Sequence, residues 1–380
     1  IGRLKNFSYI CIRMWILRVI SHNKALVEPI LRAENVWESA FFLEVEFAEC
    51  LYITMNVLLA CVGRRNYLVA YFKEALGRNG SVFGADSNRY ASALSECDAS
   101  FVVPYSNSSD YIPHLVGICR DNGVDLLVSL NDLDLPVIAR HAADFSAVGT
   151  FAAVSSTRVV DICFDKMKSA EFLKSIGVGT LSSYVSIESA KSALERGEIS
   201  FPLVVKPRWG SGSIMVECAE NMRQLETSFN YVREKLHDTI LKNAGDPSSD
   251  TSVIIQPKLS LPEYGLDIVN DFNGKNAAVF VKRKIRMRAG ETDIAETCRI
   301  PELSALGAKI GGELGHIGNL DCDIFFDGKN AVVLEMNPRF GGGYPFTHSA
   351  GGNVPKAYLQ WAGGETASSD CFSAFRVGEV

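Results

Sequence analysis

The sequence predicts an α/β domain with a doubly wound parallel sheet, followed by an α+β region. Three observations predict it. Short apolar strands alternate with helical stretches from Met55 onward. After residue 150 the pattern changes to strands that alternate in the antiparallel manner. The chain has 380 residues, more than one hydrophobic core serves.

In chain order, residues 7–20 are apolar but interrupted by Arg13 and Arg18, and a spanning helix needs roughly 20 apolar residues. Residues 1–54 are read as an upstream extension or start-site artefact, with a partner-binding amphipathic helix as the functional alternative. Val57 to Val62 is a continuous apolar run ending at Gly63, as suits a strand buried on both faces. Residues 66–78 carry Tyr67, Leu68, Tyr71, Phe72, Ala75 and Leu76 at helical spacing. A second strand, Val82 to Ala85, ends at Asp86; Phe101 to Val103 is a third; a helical stretch runs to Arg120; Leu126 to Leu130 is a fourth. Strands alternating with helices indicate βαβ units, so residues 55–150 form one domain. Ligands of such sheets sit at the carboxyl ends of the strands. Arg64 and Arg65 follow the first strand, and Asn131, Asp132 and Asp134 follow the fourth. Two arginines at a helix N-terminus suit a carboxylate or phosphate. The GxGxxG fingerprint is absent, which leaves Asp86 as weak evidence for a dinucleotide.

Beyond residue 150, a helix is expected over 165–176, a strand over Phe201 to Lys206, and a helical stretch over 220–242. The polar segment 243–251 reads as a surface loop. Val253 to Ile255, Ala277 to Lys282, Leu320 to Phe326 and Ala331 to Met336 read as strands, the last two joined by a turn at Asp327-Gly328. The second region is placed at 151–365. Residues 366–380 are read as a tail whose abrupt end is compatible with truncation.

A net charge of −6 removes any global attraction to nucleic acid. The ten cysteines make no CxxC pair or zinc spacing and lie mostly in apolar runs, which points to reduced thiols in the cytoplasm. No membrane partner is expected.

Two segments carry chemistry. Lys206 ends a strand and leads through Pro207, Arg208 and Trp209 into Gly210-Ser211-Gly212-Ser213, a loop whose amides and hydroxyls suit phosphate oxygens. It is not a Walker loop, since GxxxxGK[ST] occurs nowhere. In Leu334-Glu335-Met336-Asn337-Pro338-Arg339, Glu335 and Asn337 share one strand face, and their oxygens suit magnesium. Arg339 continues the series toward the phosphate that the metal holds. Asp321, on the partner strand of the hairpin, completes the metal set across the ladder. His316 and His348 have no metal-like spacing and read as structural histidines.

The order Lys166, Lys206 with its loop, Gln256 to Asp267, Asp321 and Glu335-x-Asn337-Pro338-Arg339 resembles the ATP-grasp superfamily, within it the carbamoyl-phosphate-synthase-like carboxylate–amine ligases that include the pyrrolysine-biosynthesis ligase. The resemblance covers residues 55–365 and implies a Rossmann-like domain ahead of a two-lobed ATP-grasp domain. It implies ATP and Mg2+ as cofactors, with Lys166, Lys206 and the 210–213 loop on the phosphates. Gln256, Lys258 and Leu259 would form the hinge beside adenine, and Glu263 would lie near the ribose. Asp321, Glu335 and Asn337 would bind magnesium, and Arg339 would stabilise the transferred phosphoryl group. Lys282, Arg283, Lys284, Arg286 and Arg288 would line the phosphate or substrate side. Two departures from the family pattern stand out, Gln256 for a glutamate and Asp321 for a glutamine.

The implied reaction activates a carboxylate as an acyl phosphate for attack by an amine, with Arg339 and Lys206 as catalytic groups. Arg64, Arg65, Asn131, Asp132, Arg286 and Tyr344 are the candidate substrate contacts. The alternatives are a nucleotide-binding protein without ligase activity and, on the first domain alone, a dinucleotide-dependent oxidoreductase.

Overall fold

Alternate residues of the first strand feed two different cores, because successive side chains of a strand point to opposite faces. Val57 and Leu59 pack with Leu68, Val69 and Phe72, and Leu58 and Ala60 pack with Tyr111, Ile112 and Leu115. That is the physical meaning of the uninterrupted apolar run. The computed structural model describes residues 54–380, apart from 211, 213, 244–247 and 289. The reading of residues 1–54 therefore lies, but for Thr54, outside the described residues, as do Ser211 and Ser213.

The strands β1 (Val57–Ala60), β2 (Val82–Asp86), β3 (Ala99–Val102), β4 (Leu126–Ser129) and β5 (Phe151–Ala152) form a parallel sheet in the order β3-β2-β1-β4-β5. The helices Asn66–Leu76 and Tyr111–Asp121 cover its two faces. The order reverses at β1, which places a crevice between the carboxyl ends of β1 and β4.

A small lobe follows. β6 (Leu203–Pro207) pairs antiparallel with β7 (Glu217–Ala219) and β8 (Val253–Pro257), and the helices Ile187–Glu195 and Met222–Lys235 contribute to its core. The helical stretch expected to reach residue 242 ends at Lys235 and continues as short 3-10 turns.

The larger lobe is a five-stranded antiparallel sheet in the order β11-β10-β9-β12-β13, built from β9 (Glu263–Asn270), β10 (Asn276–Arg288), β11 (Glu291–Cys298), β12 (Gly318–Phe326) and β13 (Ala331–Asn337). β9, β11 and the helix Pro301–Leu314 were not anticipated. Interior glycines weaken that helix as a sequence signal, yet packing requires them. A Cβ at Gly307 would stand 2.7 Å from Val279 Cγ1, and one at Gly311 2.8 Å from Asn270 Oδ1.

After β13 the chain returns to the first domain. Phe340, Tyr344, Val354 and Tyr358 lie in the same core as Val57, Leu59 and Phe72. The Phe72 ring meets Phe340 and Tyr358 edge-on, with centroids 6.1 and 6.3 Å apart. Residues 366–380 are folded onto β11: Thr297 N donates to Glu379 O at 2.8 Å, and Gly378 N to Thr297 O at 2.7 Å. Among the described residues no helix is long and apolar enough to cross a membrane, and the eight cysteines they include are all free thiols.

Phe340 joins the first domain to the antiparallel sheet through a fully buried ring. Phe340→Ala is expected to lower the unfolding free energy by about 3–5 kcal/mol, through lost burial and the cavity left behind. Urea unfolding measures it, and a loss under about 1 kcal/mol would show that this ring does not couple the two parts.

Candidate active site

Directly opposed residues of an antiparallel pair present their side chains to the same face. In the β12–β13 ladder Asp321 opposes Asn337 and Asp323 opposes Glu335, so four oxygen-bearing side chains share one face. Asn337 Nδ2 donates to Glu335 Oε1 at 3.3 Å. Asp323 was not singled out in the sequence. Its signal was the Asp321-x-Asp323 alternation, which mirrors Glu335-x-Asn337. Burial pushes the Asp323 carboxyl up to about 7; the Lys284 ammonium opposes this, and the charges of Asp321, Glu335 and Glu263 add to it.

Two cations hold this acidic face. Lys284 Nζ lies 2.6 Å from Asp323 Oδ1 and 2.7 Å from Glu263 Oε1. Glu263, expected near a ribose, is thus placed in the charge cluster. Arg339 is buried and spends its guanidinium on protein: Nε and Nη2 donate to Asp132 Oδ2 at 3.1 and 2.8 Å, and Nη1 donates to Asp321 Oδ2 at 2.8 Å. Asp132 comes from the first domain and Asp321 from the antiparallel sheet, so Arg339 ties the two together. Burial works against the Asp321 carboxylate, but Arg339, Lys284 and Lys282 hold its pKa below the usual range. Among the described residues no three carboxylate, imidazole or thiolate groups are arranged as a metal cage. Arg339 and Lys284 occupy the approaches to the carboxylates.

The two lysines singled out in the sequence come together. Lys166 opens the helix Lys166–Ser175, and its ammonium donates to the carbonyl of Gly210. Burial lowers its pKa, against the pull of Glu335, Asp132 and Asp165. Lys206, on β6, is lowered to about 8 by burial and by the charge of Lys166, with Glu335 and Asp323 opposing. No hydrogen bond reaches the Lys206 ammonium among the described residues. The loop between them is anchored by Arg208, whose Nε and Nη2 each donate to the Asp165 carboxylate at 2.8 Å.

Gln256 opposes Val204, two residues before Lys206 on β6, so it shares the lysine's face of the small sheet. Its Nε2 donates to Ser183 Oγ at 2.8 Å, and its buried Oε1 has no partner among the described residues. Lys258 is exposed and Leu259 half-buried, at the end of the same strand segment.

A cavity of about 350 Å3 opens over this arrangement, walled by Arg64, Arg65 and Asn131 of the first domain and by Asp321, Glu335 and Arg339. Gly212 lines it as well. A wider groove of about 1710 Å3 runs along the carboxyl edge of the parallel sheet and shares Cys61, Asn131, Leu133 and Ile240 with the smaller cavity. The charged groups converge on the smaller one.

Two expected substrate contacts are placed elsewhere. Arg286 was expected on the phosphate or substrate side, but the ladder shifts register between Lys284 and Arg286 and again before Met287. A bulge reverses the alternation. Arg286 therefore pairs with Asp293 in solvent, and Met287 lines the cavity. Lys282 turns inward to a buried ion pair with Asp267. Tyr344 is sealed in the core, where its hydroxyl donates to Gly352 O at 2.9 Å and accepts from Val354 N at 3.0 Å. His316 is structural: it is fully buried, and burial lowers its pKa to about 4.

Parts of the chain are similar to known families and structures. Residues 57–153 match the family model of the PylC-like N-terminal domain, and residues 249–380 match that of an ATP-grasp protein in the biosynthetic pathway with Ter operon. The carbamoyl phosphate synthase large chain of Campylobacter jejuni is 23% identical over 253 residues, covering 63% of this chain and 22% of the relative. The arginine-specific large chain of Bacillus subtilis is 19% identical, covering 60% and 21%. The chain thus spans roughly a fifth of the length of these relatives. Among solved structures, the biotin carboxylase domain of Hydrogenobacter thermophilus 2-oxoglutarate carboxylase, in complex with MgADP, ADP and bicarbonate, superposes with a TM-score of 0.68 at 17% identity, covering 85% of this chain and 72% of that one. The Staphylococcus aureus N5-carboxyaminoimidazole synthetase complexed with ADP gives 0.61 at 14%, covering 83% and 78%.

Removing one partner of a buried ion pair leaves a charge without compensation. Asp132→Ala, which strips the acceptor from two of the Arg339 nitrogens, is expected to cost about 3 kcal/mol of stability. A urea midpoint unchanged from the parent would show that Arg339 does not tie the domains together.

Proposed function

We propose that this chain, which has the ATP-grasp fold behind a PylC-like N-terminal domain, is an ADP-forming ligase that uses ATP to join a carboxylate to an amine. The carrying observation is the lysine pair. Lys206 is buried and Lys166 half-buried, the charge of Lys166 lowers the Lys206 pKa, and among the described residues no anion is in contact with the Lys206 ammonium. Two such charges are stabilised by a phosphate chain lying between them. The unpartnered Oε1 of Gln256, on the same sheet face, suits the exocyclic amine of adenine.

In the proposed reaction a substrate carboxylate oxygen attacks the γ-phosphorus of ATP. The bond to the β-phosphate oxygen breaks, ADP leaves, and an acyl phosphate forms. The amine nitrogen then attacks the acyl carbon, the carbon–oxygen bond to phosphate breaks, and inorganic phosphate leaves. Phosphoryl transfer asks the protein mainly for positioning and charge compensation. Lys166 and Lys206 supply compensation along the phosphates. Asp321, Asp323, Glu335 and Asn337 carry the hard oxygens that magnesium takes and would hold it once Arg339 and Lys284 give way; the ion would neutralise charge on the phosphate oxygens. Arg339 reaches a transferred phosphoryl group only by releasing one of its aspartates, so it serves the site first as a positioning residue.

The direct test is ADP and phosphate release with MgATP, screened against amino acids and small carboxylates paired with primary amines. Absence of release for every pair would remove the ligase reading. Lys206 also sets a pH dependence. With its pKa at about 8 in the free protein, the ammonium is charged at pH 7 and largely neutral at pH 9. ATP is therefore expected to bind more weakly at pH 9 than at pH 7 at constant ionic strength, as read by calorimetry, and Lys206→Met should bind weakly at both. Equal affinity of the parent at the two pH values would take Lys206 off the phosphates.

A further inference from the structure

We infer that Glu291 receives the amine nucleophile, holding it as an ammonium beside the reaction centre and accepting its first proton before attack. The inference deepens the ligase reading and rests on it.

Glu291 opens β11, and it lines the smaller cavity together with Met287, Gly290 and Thr292 at the end of the β10–β11 hairpin. The glycines after Arg339 bring it close. A Cβ at Gly341 would stand 2.2 Å from Asp321 Cγ, one at Gly342 3.6 Å from Glu291 Cγ, and one at Gly343 3.5 Å from Thr292 Oγ1. The run Gly341-Gly342-Gly343 is thus a floor without side chains, with Asp321 against its first residue and the Glu291 side chain over its second. Arg65 lines the same cavity, and its Nη1 donates to the Tyr67 hydroxyl at 3.0 Å. Burial raises the Tyr67 pKa; Arg65 and Arg339 oppose this and Glu291 adds to it, so all three charges act across the same space.

Charge accounting singles out Glu291. Of the carboxylates lining the cavity, Asp132 and Asp321 hold Arg339, Asp323 holds Lys284, and Glu335 accepts from Asn337 and faces the lysine pair. Glu291, exposed at the rim of the cavity, is the one of these carboxylates with neither an ion pair nor a hydrogen bond among the described residues. An uncommitted anion there repels an anionic second substrate and attracts a cationic one.

A primary amine has a pKa near that of lysine, roughly 10.4, and arrives as an ammonium with no lone pair to attack. Two protons must leave its nitrogen. One passes to the Glu291 carboxylate and frees the lone pair. The nitrogen bonds to the acyl carbon, the bond from that carbon to the phosphate oxygen breaks, and the departing phosphate takes the second proton.

The test compares primary alkylamines with hydroxylamine, which is uncharged at neutral pH and needs no base, as nucleophiles for ADP formation from MgATP and a panel of amino acids and dicarboxylic acids. In Glu291→Gln the ratio of turnover with an alkylamine to turnover with hydroxylamine is expected to fall about a hundredfold at pH 7. The loss should shrink as pH rises toward the pKa of the amine. An unchanged ratio, or hydroxylamine turnover in the parent with none from any alkylamine, overturns the role of Glu291 and leaves the ligase reading standing. No ADP from any combination overturns both.

Discussion

The buried guanidinium of Arg339 is the constraint on which the rest of the site depends. It is charged at every accessible pH, and burying it is tolerable only where carboxylates meet it in good geometry. Asp132 and Asp321 supply that geometry from two different sheets. The loop after β4 and the strand β12 are thereby held to one another through a side chain that neither contains. Gly341 follows directly, because any Cβ there would overlap the Asp321 carboxyl group.

Around that tie the site is a balance of charges that the protein does not fully neutralise by itself. Lys284 stands between Glu263 and Asp323 and offsets part of the repulsion among the acids. Lys166 and Lys206 repel each other, with Glu335 and Asp323 only partly compensating. The unrelieved charge is of opposite sign on the two sides, positive at the lysines and negative at the β12–β13 carboxylates. A polyanion carrying a divalent cation would relieve both at once.

The larger groove and the smaller cavity meet at the carboxyl ends of β1 and β4, where the strand order of the parallel sheet reverses. The helices after β13 pack back onto the first domain and share its core, so the position of that edge is set by residues almost three hundred positions away in the chain. Domain division by sequence pattern, at residue 150, marks where the secondary-structure pattern changes. It does not mark separate cores.

The residues themselves determined the strands whose apolar pattern is local: β1, β2, β4, β6 and β13 run close to the limits their sequences predict. They also determined that Asp321, Glu335 and Asn337 share a face, since period two and a hairpin turn suffice for that. What they left open depends on contacts distant in the chain. The glycine-bearing helix Pro301–Leu314 is specified by the sheet it sits on, and Asp323 gains its significance from Lys284 on another strand. Arg286 and Tyr344 went elsewhere because a bulge reversed one and a second core claimed the other. Side-chain periodicity is a property of a strand alone. Which charge meets which, and which remains without a partner, is decided only when the strands are brought together.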